Sequence, residues 1–345
     1  MIIGDLDIIV GEYKARISYL ENIGSATAPA YVWRRGDADP FDGMAFGDDM
    51  NPALADLDGD GDFDLAVGDK EGIIKYYENM GSAERPQFVG RVGSANPFQG
   101  VAVEKYCAPR FVDIDGDGDL DLVVGDEKGG LTVYENKASS AVAPVVVEIA
   151  AAASPLGLVD VDIHASAAAY SAPTLVDYDG DNDLDVIVGH NMAYDLDGDG
   201  QWSIAEYEAA ASAPTFFFYE NVGSSVAPAF VQKTGSDHFA FVDAYGKSAA
   251  TFGDLDQDGD LDLVVGDDQG SILYYENVGL TAEGYVARQG FASPSNPWMK
   301  IGDVESFNLA LGDLDGDGAV PRCLSRDPDR VTATNIVPSQ ATSTW

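Results

Sequence analysis

The chain has few basic residues and almost no cysteine. Of its 345 residues, 19 are lysine or arginine and 59 are aspartate or glutamate, so the formal net charge is −40. A charge of this sign argues against nucleic acid or an anionic membrane as a partner, because both are themselves negative. The two cysteines, Cys107 and Cys323, are too few to form a disulfide framework.

Long hydrophobic runs are also missing. The nearest to one, residues 141–159, is interrupted by Pro144, Glu148 and Pro155, so we expect no membrane insertion. The first residues lack the charged and apolar regions of a signal peptide. Hydrophobic residues nevertheless make up 46% of the chain, which is ample for a core and too rich for disorder.

The acidic residues are concentrated in a repeated motif. In its first copy five aspartates alternate from Asp56 to Asp64, Gly61 lies among them, and an apolar run ends at Gly68. Crowded carboxylates repel one another unless a cation binds them, and Ca²⁺ takes six to eight oxygen ligands from carboxylates, carbonyls and water. Glycine at the sixth position permits a sharp reversal. The motif therefore predicts a calcium loop followed by a strand.

Three further complete copies and two half copies repeat this motif. The half copies are residues 4–11, which match its end, and residues 313–318, which match its start. The glycines that close the apolar runs lie at 11, 68, 125, 189 and 266, and a Glu-Asn pair follows each run. The predicted calcium ligands of the four complete loops are Asp56, Asp58, Asp60, Asp62 and Asp64; Asp113, Asp115, Asp117, Asp119 and Asp121; Asp177, Asp179, Asp181, Asp183 and Asp185; and Asp254, Asp256, Asp258, Asp260 and Asp262.

Each repeat contains four short strand patterns separated by turn residues. This organisation predicts an all-β fold, a β-propeller of four-stranded blades over residues 1–318. The strand pattern at residues 308–312 would complete the N-terminal blade and close a ring of five, although a fragment of a larger ring fits the repeats as well. We expect the recurring tyrosines, such as Tyr76 and Tyr134, to fill the core between blades.

These repeats resemble the FG-GAP/VCBS repeats of integrin α-subunit propellers and of bacterial and algal surface proteins. The resemblance is carried by the Asp-x-Asp-x-Asp-Gly-x-x-Asp loops, by the Phe-Gly pairs at 46–47 and 252–253, and by the Ala-Pro pairs at 108–109 and 172–173. It implies calcium in the loop between the first two strands of a blade, on one face of the propeller. It also implies that the seventh residue, Asp62 in the first loop, gives its carbonyl. The third loop departs from the pattern with Asn182 at position 6, where asparagine tolerates positive φ better than most residues.

A 21-residue insertion, at residues 190–210, lengthens the fourth repeat. It contains a second kind of calcium motif, an EF-hand-like loop with acidic oxygens at positions 1, 3 and 5, glycine at 6, a carbonyl at 7 and glutamate at 12. Only its exit side has room for a flanking helix, which indicates a structural or low-affinity site. The predicted ligands are Asp195, Asp197, Asp199, Gln201 and Glu206.

The last residues, 319–345, break the repeat pattern and are expected to be irregular, because they are basic, rich in serine and threonine, and not periodic. We find no catalytic constellation: the histidines His164, His190 and His238 are scattered, and a turn role is expected for His190.

Two functions are predicted. The first is a non-enzymatic, calcium-stabilised interaction or adhesion module, extracellular or at the cell surface, with about four loop ions and one EF-hand-like ion and a protein or glycan partner. The alternative is a propeller that binds or cleaves polysaccharide, which an aromatic shelf or a cluster of Arg, Lys and His in the central channel would favour.

Overall fold

Five antiparallel sheets are arranged as the blades of a closed β-propeller in the computed structural model. The structure describes residues 6–12, 16–24, 29–101, 103–138, 144–157, 159, 161, 170–190, 214–234, 238–244, 247–267, 270–279, 284–288, 299–300 and 308–314. Within these ranges the only helices are two 3-10 turns, at Gly36–Ala38 and Gly93–Ala95. No helix in the described part of the chain has the length and apolar character needed to cross a bilayer.

The strands follow one another from the centre of the ring outwards in every blade. Blade 1 contains β21 (Asn308–Gly312), β1 (Asp7–Gly11), β2 (Ile17–Asn22) and β3 (Tyr31–Arg34), and blade 2 contains β4 (Asn51–Ala55), β5 (Asp64–Gly68), β6 (Ile74–Asn79) and β7 (Phe88–Arg91). Blade 3 contains β8 (Ala108–Val112), β9 (Asp121–Gly125), β10 (Leu131–Asn136) and β11 (Val146–Glu148), and blade 4 contains β12 (Ala172–Val176), β13 (Asp185–Gly189), β14 (Phe216–Asn221) and β15 (Phe230–Gln232). Blade 5 contains β16 (Ser248–Gly253), β17 (Asp262–Asp267), β18 (Ser271–Asn277) and β19 (Tyr285–Arg288), and β20 (Met299–Lys300) pairs with β18 beside this order.

The ring closes by pairing the two ends of the propeller sequence. Strand β21 lies antiparallel to β1, with Asp7 opposite Gly312 and Gly11 opposite Asn308. The innermost strands β21, β4, β8, β12 and β16 contact one another in that order, and β16 contacts β21 again. The prediction of a five-bladed ring is therefore confirmed, and the alternative, a fragment of a larger ring, is wrong.

The hydrophobic core is divided among the five spaces between neighbouring blades. Each space holds one cluster of buried apolar side chains drawn from the two blades beside it. Tyr76 and Tyr134 lie in the cluster between blades 2 and 3, which confirms that these aromatic residues fill the core. The connecting loops add Phe41, Phe98 and Phe239, which are at most 3% exposed. Burial of each such side chain stabilises the packing of two blades by about 1.5–3 kcal/mol.

The glycines that close the second strands bring adjacent blades into direct contact. A Cβ at Gly125 would lie 2.1 Å from the carbonyl oxygen of Ser171, the residue just before the first strand of the next blade. Since no side chain fits such a space, glycine is required at this position. A Cβ would meet a backbone carbonyl oxygen of the next blade in the same way at three other glycines: Gly11 (Met50), Gly68 (Cys107) and Gly189 (Ser248).

This contact predicts that Gly125→Ala will destabilise the protein by about 1–3 kcal/mol, because the methyl group must displace the backbone of blade 4. Gly130 of the same blade provides the control, since nothing lies within 4 Å of a Cβ there. We expect Gly130→Ala to change stability by less than about 0.5 kcal/mol. Urea unfolding of both variants measures the difference, and equal stabilities would contradict the packing argument.

Candidate metal centre

The four complete aspartate loops connect the first and second strands of blades 2 to 5. In three loops one carboxylate oxygen from each of positions 1, 3 and 5 lies within 4.8 Å of the others, and in the loop of blade 3 the corresponding residues are those at positions 1, 3 and 9. The four groups are Asp56, Asp58 and Asp60; Asp113, Asp115 and Asp121; Asp177, Asp179 and Asp181; and Asp254, Asp256 and Asp258. Three of the five predicted residues are thus brought together in every complete loop.

Backbone N–H groups fold each loop around its first aspartate. Asp56 accepts hydrogen bonds from the N–H of Gly59 at 2.8 Å and of Gly61 at 3.2 Å. Further along, Asp58 accepts from the N–H of Asp60 at 3.2 Å, and Asp60 from that of Asp62 at 3.1 Å. These bonds fix the carboxylates in a curve and partly offset their mutual repulsion.

Positive φ angles at positions 4 and 6 produce the curvature of the loops. Gly61 has a φ of 97°. In the third loop Asn182 has a φ of 71° and donates its N–H to Asp177 at 3.1 Å, so asparagine replaces glycine here without loss of the turn. Gln257, at position 4 of the fourth loop, has a φ of 58°, a strained conformation for glutamine that the sequence pattern did not indicate.

The ninth aspartate has a role that the sequence did not indicate: it holds the loop to the sheet. Asp64 is 1% exposed. Its Oδ2 accepts from the N–H of Leu57 at 3.2 Å and the hydroxyl of Tyr76 at 2.9 Å, and its Oδ1 accepts from the N–H of Asn79 at 2.8 Å. One side chain therefore connects the start of the loop, the second strand and the end of the third strand. The two backbone bonds recur at Asp121, Asp185 and Asp262.

The two half copies meet to repeat this arrangement in blade 1. Asp7 occupies the ninth position, and it accepts from the hydroxyl of Tyr19 at 2.7 Å and the N–H groups of Asn22 at 2.8 Å and Leu314 at 3.2 Å. Asp313, just before Leu314, takes the first position. A hydrogen bond between residues 307 positions apart thus joins the ends of the ring.

The asparagine of each Glu-Asn pair organises the hairpin between the third and fourth strands. Asn79 Oδ1 accepts from the N–H of Gly81 at 3.0 Å and of Gln87 at 2.8 Å. The preceding Glu78 forms an ion pair with Arg91 at 2.7 Å. This hairpin lies on the same face as the aspartate loops, because Asn79 contacts Asp64.

Burial is the main influence on the pKa values of the loop carboxylates. Burial raises the pKa of Asp64, Asp121, Asp185 and Asp262 to about 7 in each case. Burial, and then repulsion by Asp60, raises the pKa of Asp62 to about 6. A bound divalent cation would reverse these shifts, since it favours the ionised carboxylate.

The donor atoms fit a hard cation. All the grouped ligands are carboxylate oxygens, which suit calcium, magnesium or manganese better than softer metals. Among the described residues Asp62 Oδ1 is buried without a hydrogen-bond partner, which is costly unless a cation or water binds there. Positions 1, 3, 5 and 9 would hold the ion, and the carbonyl oxygens of Asp62, Asp119, Asp183 and Asp260 remain predicted ligands.

The EF-hand-like insertion lies outside the described residues, and so do its predicted ligands Asp195, Asp197, Asp199, Gln201 and Glu206. Residues 319–345 lie outside them as well. His190 is described: it is 1% exposed, directly follows β13, and its Nε2 lies 2.7 Å from the carbonyl oxygen of Pro214. A carbonyl can only accept, so Nε2 carries the proton.

Comparisons with known proteins find a family match over part of the chain and a distantly similar solved structure. A family model described as an FG-GAP-like repeat matches residues 113–188, which include the loops of blades 3 and 4. Among solved structures, the chain is similar to an Agrocybe aegerita lectin whose title concerns specific recognition of non-reducing terminal N-acetylglucosamine. The similarity has a TM-score of 0.38 and 19% identity, and it covers 84% of this chain and 62% of the lectin chain. No curated protein matches the sequence.

The raised pKa values predict how pH affects the calcium-free protein. Asp64 and its three equivalents titrate near 7 when folded and near 4 when unfolded. The folded state therefore binds more protons between these values, so stability should fall as pH rises from about 4 to 7. We expect calcium-stripped protein to melt at a lower temperature at pH 7.5 than at pH 5. With saturating calcium this fall should be reduced, because bound ions favour ionised ligands; parallel melting curves would contradict the assignment.

Alanine substitutions of the two anchoring aspartates, Asp64 and Asp7, can be compared directly. Each loses three hydrogen bonds on replacement by alanine, and we expect each change to cost about 2–4 kcal/mol. Asp7→Ala should also increase amide hydrogen exchange in β21, because its bond to Leu314 joins the chain ends. Asp64→Ala should leave β21 protected, and equal exchange of β21 in both variants would be evidence against this role.

Proposed function

We propose that the protein is a calcium-stabilised, non-enzymatic β-propeller that acts in interaction or adhesion outside the cell. The observation that carries the proposal is the repeated convergence of three carboxylates in four loops on one face of the ring. The FG-GAP-like match supports it, because the aspartate loops also resemble those of FG-GAP repeats. The proposed ions are one Ca²⁺ per complete loop and one more in the EF-hand-like insertion.

Calcium would stabilise the folded ring by mass action. An ion that binds only the folded state adds RT ln(1 + [L]/Kd) per site. With millimolar extracellular calcium and dissociation constants of about 10⁻⁴–10⁻³ M, each site contributes about 0.4–1.4 kcal/mol. Each ion would also fix the link between the first two strands of its blade, because the loop joins them.

A second candidate function, binding of a carbohydrate, is favoured by the opposite end of the central channel. Tyr106, Tyr170, His190 and Lys247 line one cavity there. Paired aromatic rings with a basic side chain are among the features that distinguish a glycan-binding channel from a purely structural one. His190, which directly follows β13, contacts the carbonyl oxygen of Pro214 through its Nε2, and this contact supports a structural role for it.

The calcium proposal is tested by counting ions and measuring melting temperature together. We expect isothermal titration calorimetry to find about five ions per chain, and chelation to lower the melting temperature by several degrees. Asp58→Asn combined with Asp60→Asn should remove one ion, and Glu206→Gln should weaken the EF-hand-like site alone. Asp37→Asn, an exposed acidic position outside the loops, is the control. Absence of bound calcium and an unchanged melting temperature would overturn the proposal.

A further inference from the structure

A hairpin of blade 4 reaches across to the aspartate loop of blade 3. It comprises residues 222–229, between β14 and β15, and we call it the bridging hairpin. A Cβ built on Gly116 would lie 2.7 Å from Val226 Cγ1, 3.4 Å from the carbonyl oxygen of Ser225 and 3.6 Å from Val226 Cα. Gly116 is the fourth residue of the blade 3 loop, so the tip of the bridging hairpin packs directly on that loop.

Gly116 is connected to the first predicted ligand of its own loop. Its N–H donates to Asp113 Oδ1 at 2.7 Å, and its φ of 78° places it in the left-handed turn that curves the loop. Asp113 belongs to the group of carboxylates that converge in this loop. A contact that holds Gly116 in place therefore also helps to orient the carboxylate of Asp113.

The other end of the bridging hairpin is anchored to the aspartate loop of blade 4. Asn221, the last residue of β14, donates its N–H to Asp185 Oδ1 at 2.8 Å. Its own Oδ1 accepts two backbone N–H groups within the hairpin, and two backbone hydrogen bonds between Ser224 and Ala227 close the turn at the tip. Asp185 is the ninth residue of the blade 4 loop and is 1% exposed. One hydrogen-bonded unit thus extends from the loop of blade 4 to the loop of blade 3.

The contact is not a general feature of the repeats. At Gly180, the fourth residue of the blade 4 loop, no atom in the described part of the chain lies within 4 Å of a Cβ. Val226 is the fifth residue after the asparagine of its Glu-Asn pair, and the residues at this position in the other blades are Thr27, Glu84, Ala141 and Ala282. A branched apolar side chain therefore occupies this position in blade 4 alone.

We propose that calcium binding in the loop of blade 4 strengthens calcium binding in the loop of blade 3, and that the bridging hairpin carries this coupling. The inference rests on the proposed calcium-binding function. It adds a regulation of those sites, because the two loops would not bind independently. The route runs from Asp185 through Asn221 and Val226 to Gly116 and Asp113.

The direction of the coupling follows from which groups are held in place. As a ligand in blade 4, Asp185 would be fixed in position and would hold Asn221 more firmly. The bridging hairpin would then keep Val226 against Gly116, so the blade 3 loop is ordered before it binds. A loop that is already ordered loses less conformational entropy on binding. The coupling is reciprocal by linkage, so binding in blade 3 strengthens binding in blade 4 by the same factor.

Amide hydrogen exchange of the full chain, read by mass spectrometry during a calcium titration, tests the coupling because it reports on each loop separately. We expect Asp179→Asn combined with Asp181→Asn, which removes the blade 4 site, to raise the calcium midpoint for protection of residues 113–121 about three- to tenfold. The midpoint for residues 254–262, the loop on the other side of blade 4, should not move. An unchanged midpoint for residues 113–121 would overturn the coupling alone, whereas loss of calcium-dependent protection in every loop would overturn the calcium proposal itself.

A second variant locates the route. Val226→Ala removes the Cγ1 contact with Gly116, and because Val226 is 65% exposed the variant should fold. It should raise the midpoint for residues 113–121 by itself and abolish the further effect of removing the blade 4 site, as a double-mutant cycle requires of coupled positions. Val222→Ala is the matched control, since Val222 belongs to the same hairpin and is 56% exposed, and it should leave the coupling intact. An effect of the blade 4 site that persists in Val226→Ala would contradict the proposed route.

Discussion

The rest of the propeller depends on the hydrogen bonds made by the buried ninth aspartate of each loop. A carboxylate that is 0–1% exposed, as at Asp7 and Asp64, would be strongly unfavourable without partners. Its hydrogen bonds to the position after the first strand and to the end of the third strand make it tolerable. Because this residue is also a predicted ligand of the ion loop, the packing of a blade and the proposed binding of a cation would share one side chain.

This sharing explains why the acidic face and the ring geometry go together. Backbone N–H groups curl the loops and bring their carboxylates together. Burial of the ninth aspartate disfavours its ionised form, and this cost appears as raised pKa values at Asp64 and Asp121. A cation would relieve that cost at the point where the first and second strands join. In blade 1 the same geometry connects Asp7 to Leu314, and the loop arrangement there also closes the ring.

Much of this arrangement could be predicted from the sequence because it repeats. The alternating aspartates, the closing glycines and the matching half copies predicted the loops and the blades, and they left a closed ring of five as one of two alternatives. The anchoring role of Asp64 could not be predicted, since its partners Tyr76 and Asn79 come from another strand. Likewise, glycine is required at position 125 because a backbone carbonyl of the next blade lies against it. The spacing of glycines in the sequence does not show such a contact between blades.

The residues that line the end of the central channel opposite the aspartate loops were missed for a related reason. Asp49, Tyr106, Tyr170 and Lys247 occupy equivalent positions in four blades but differ in chemistry, so no motif connects them in the sequence. The positions are equivalent because each precedes the backbone approach that glycine permits, for example Ser171 at Gly125. The ring thus fixes the backbone there while leaving the side chains free to vary. A repeated scaffold with similar loops on one face can in this way carry different side chains at equivalent positions on the other.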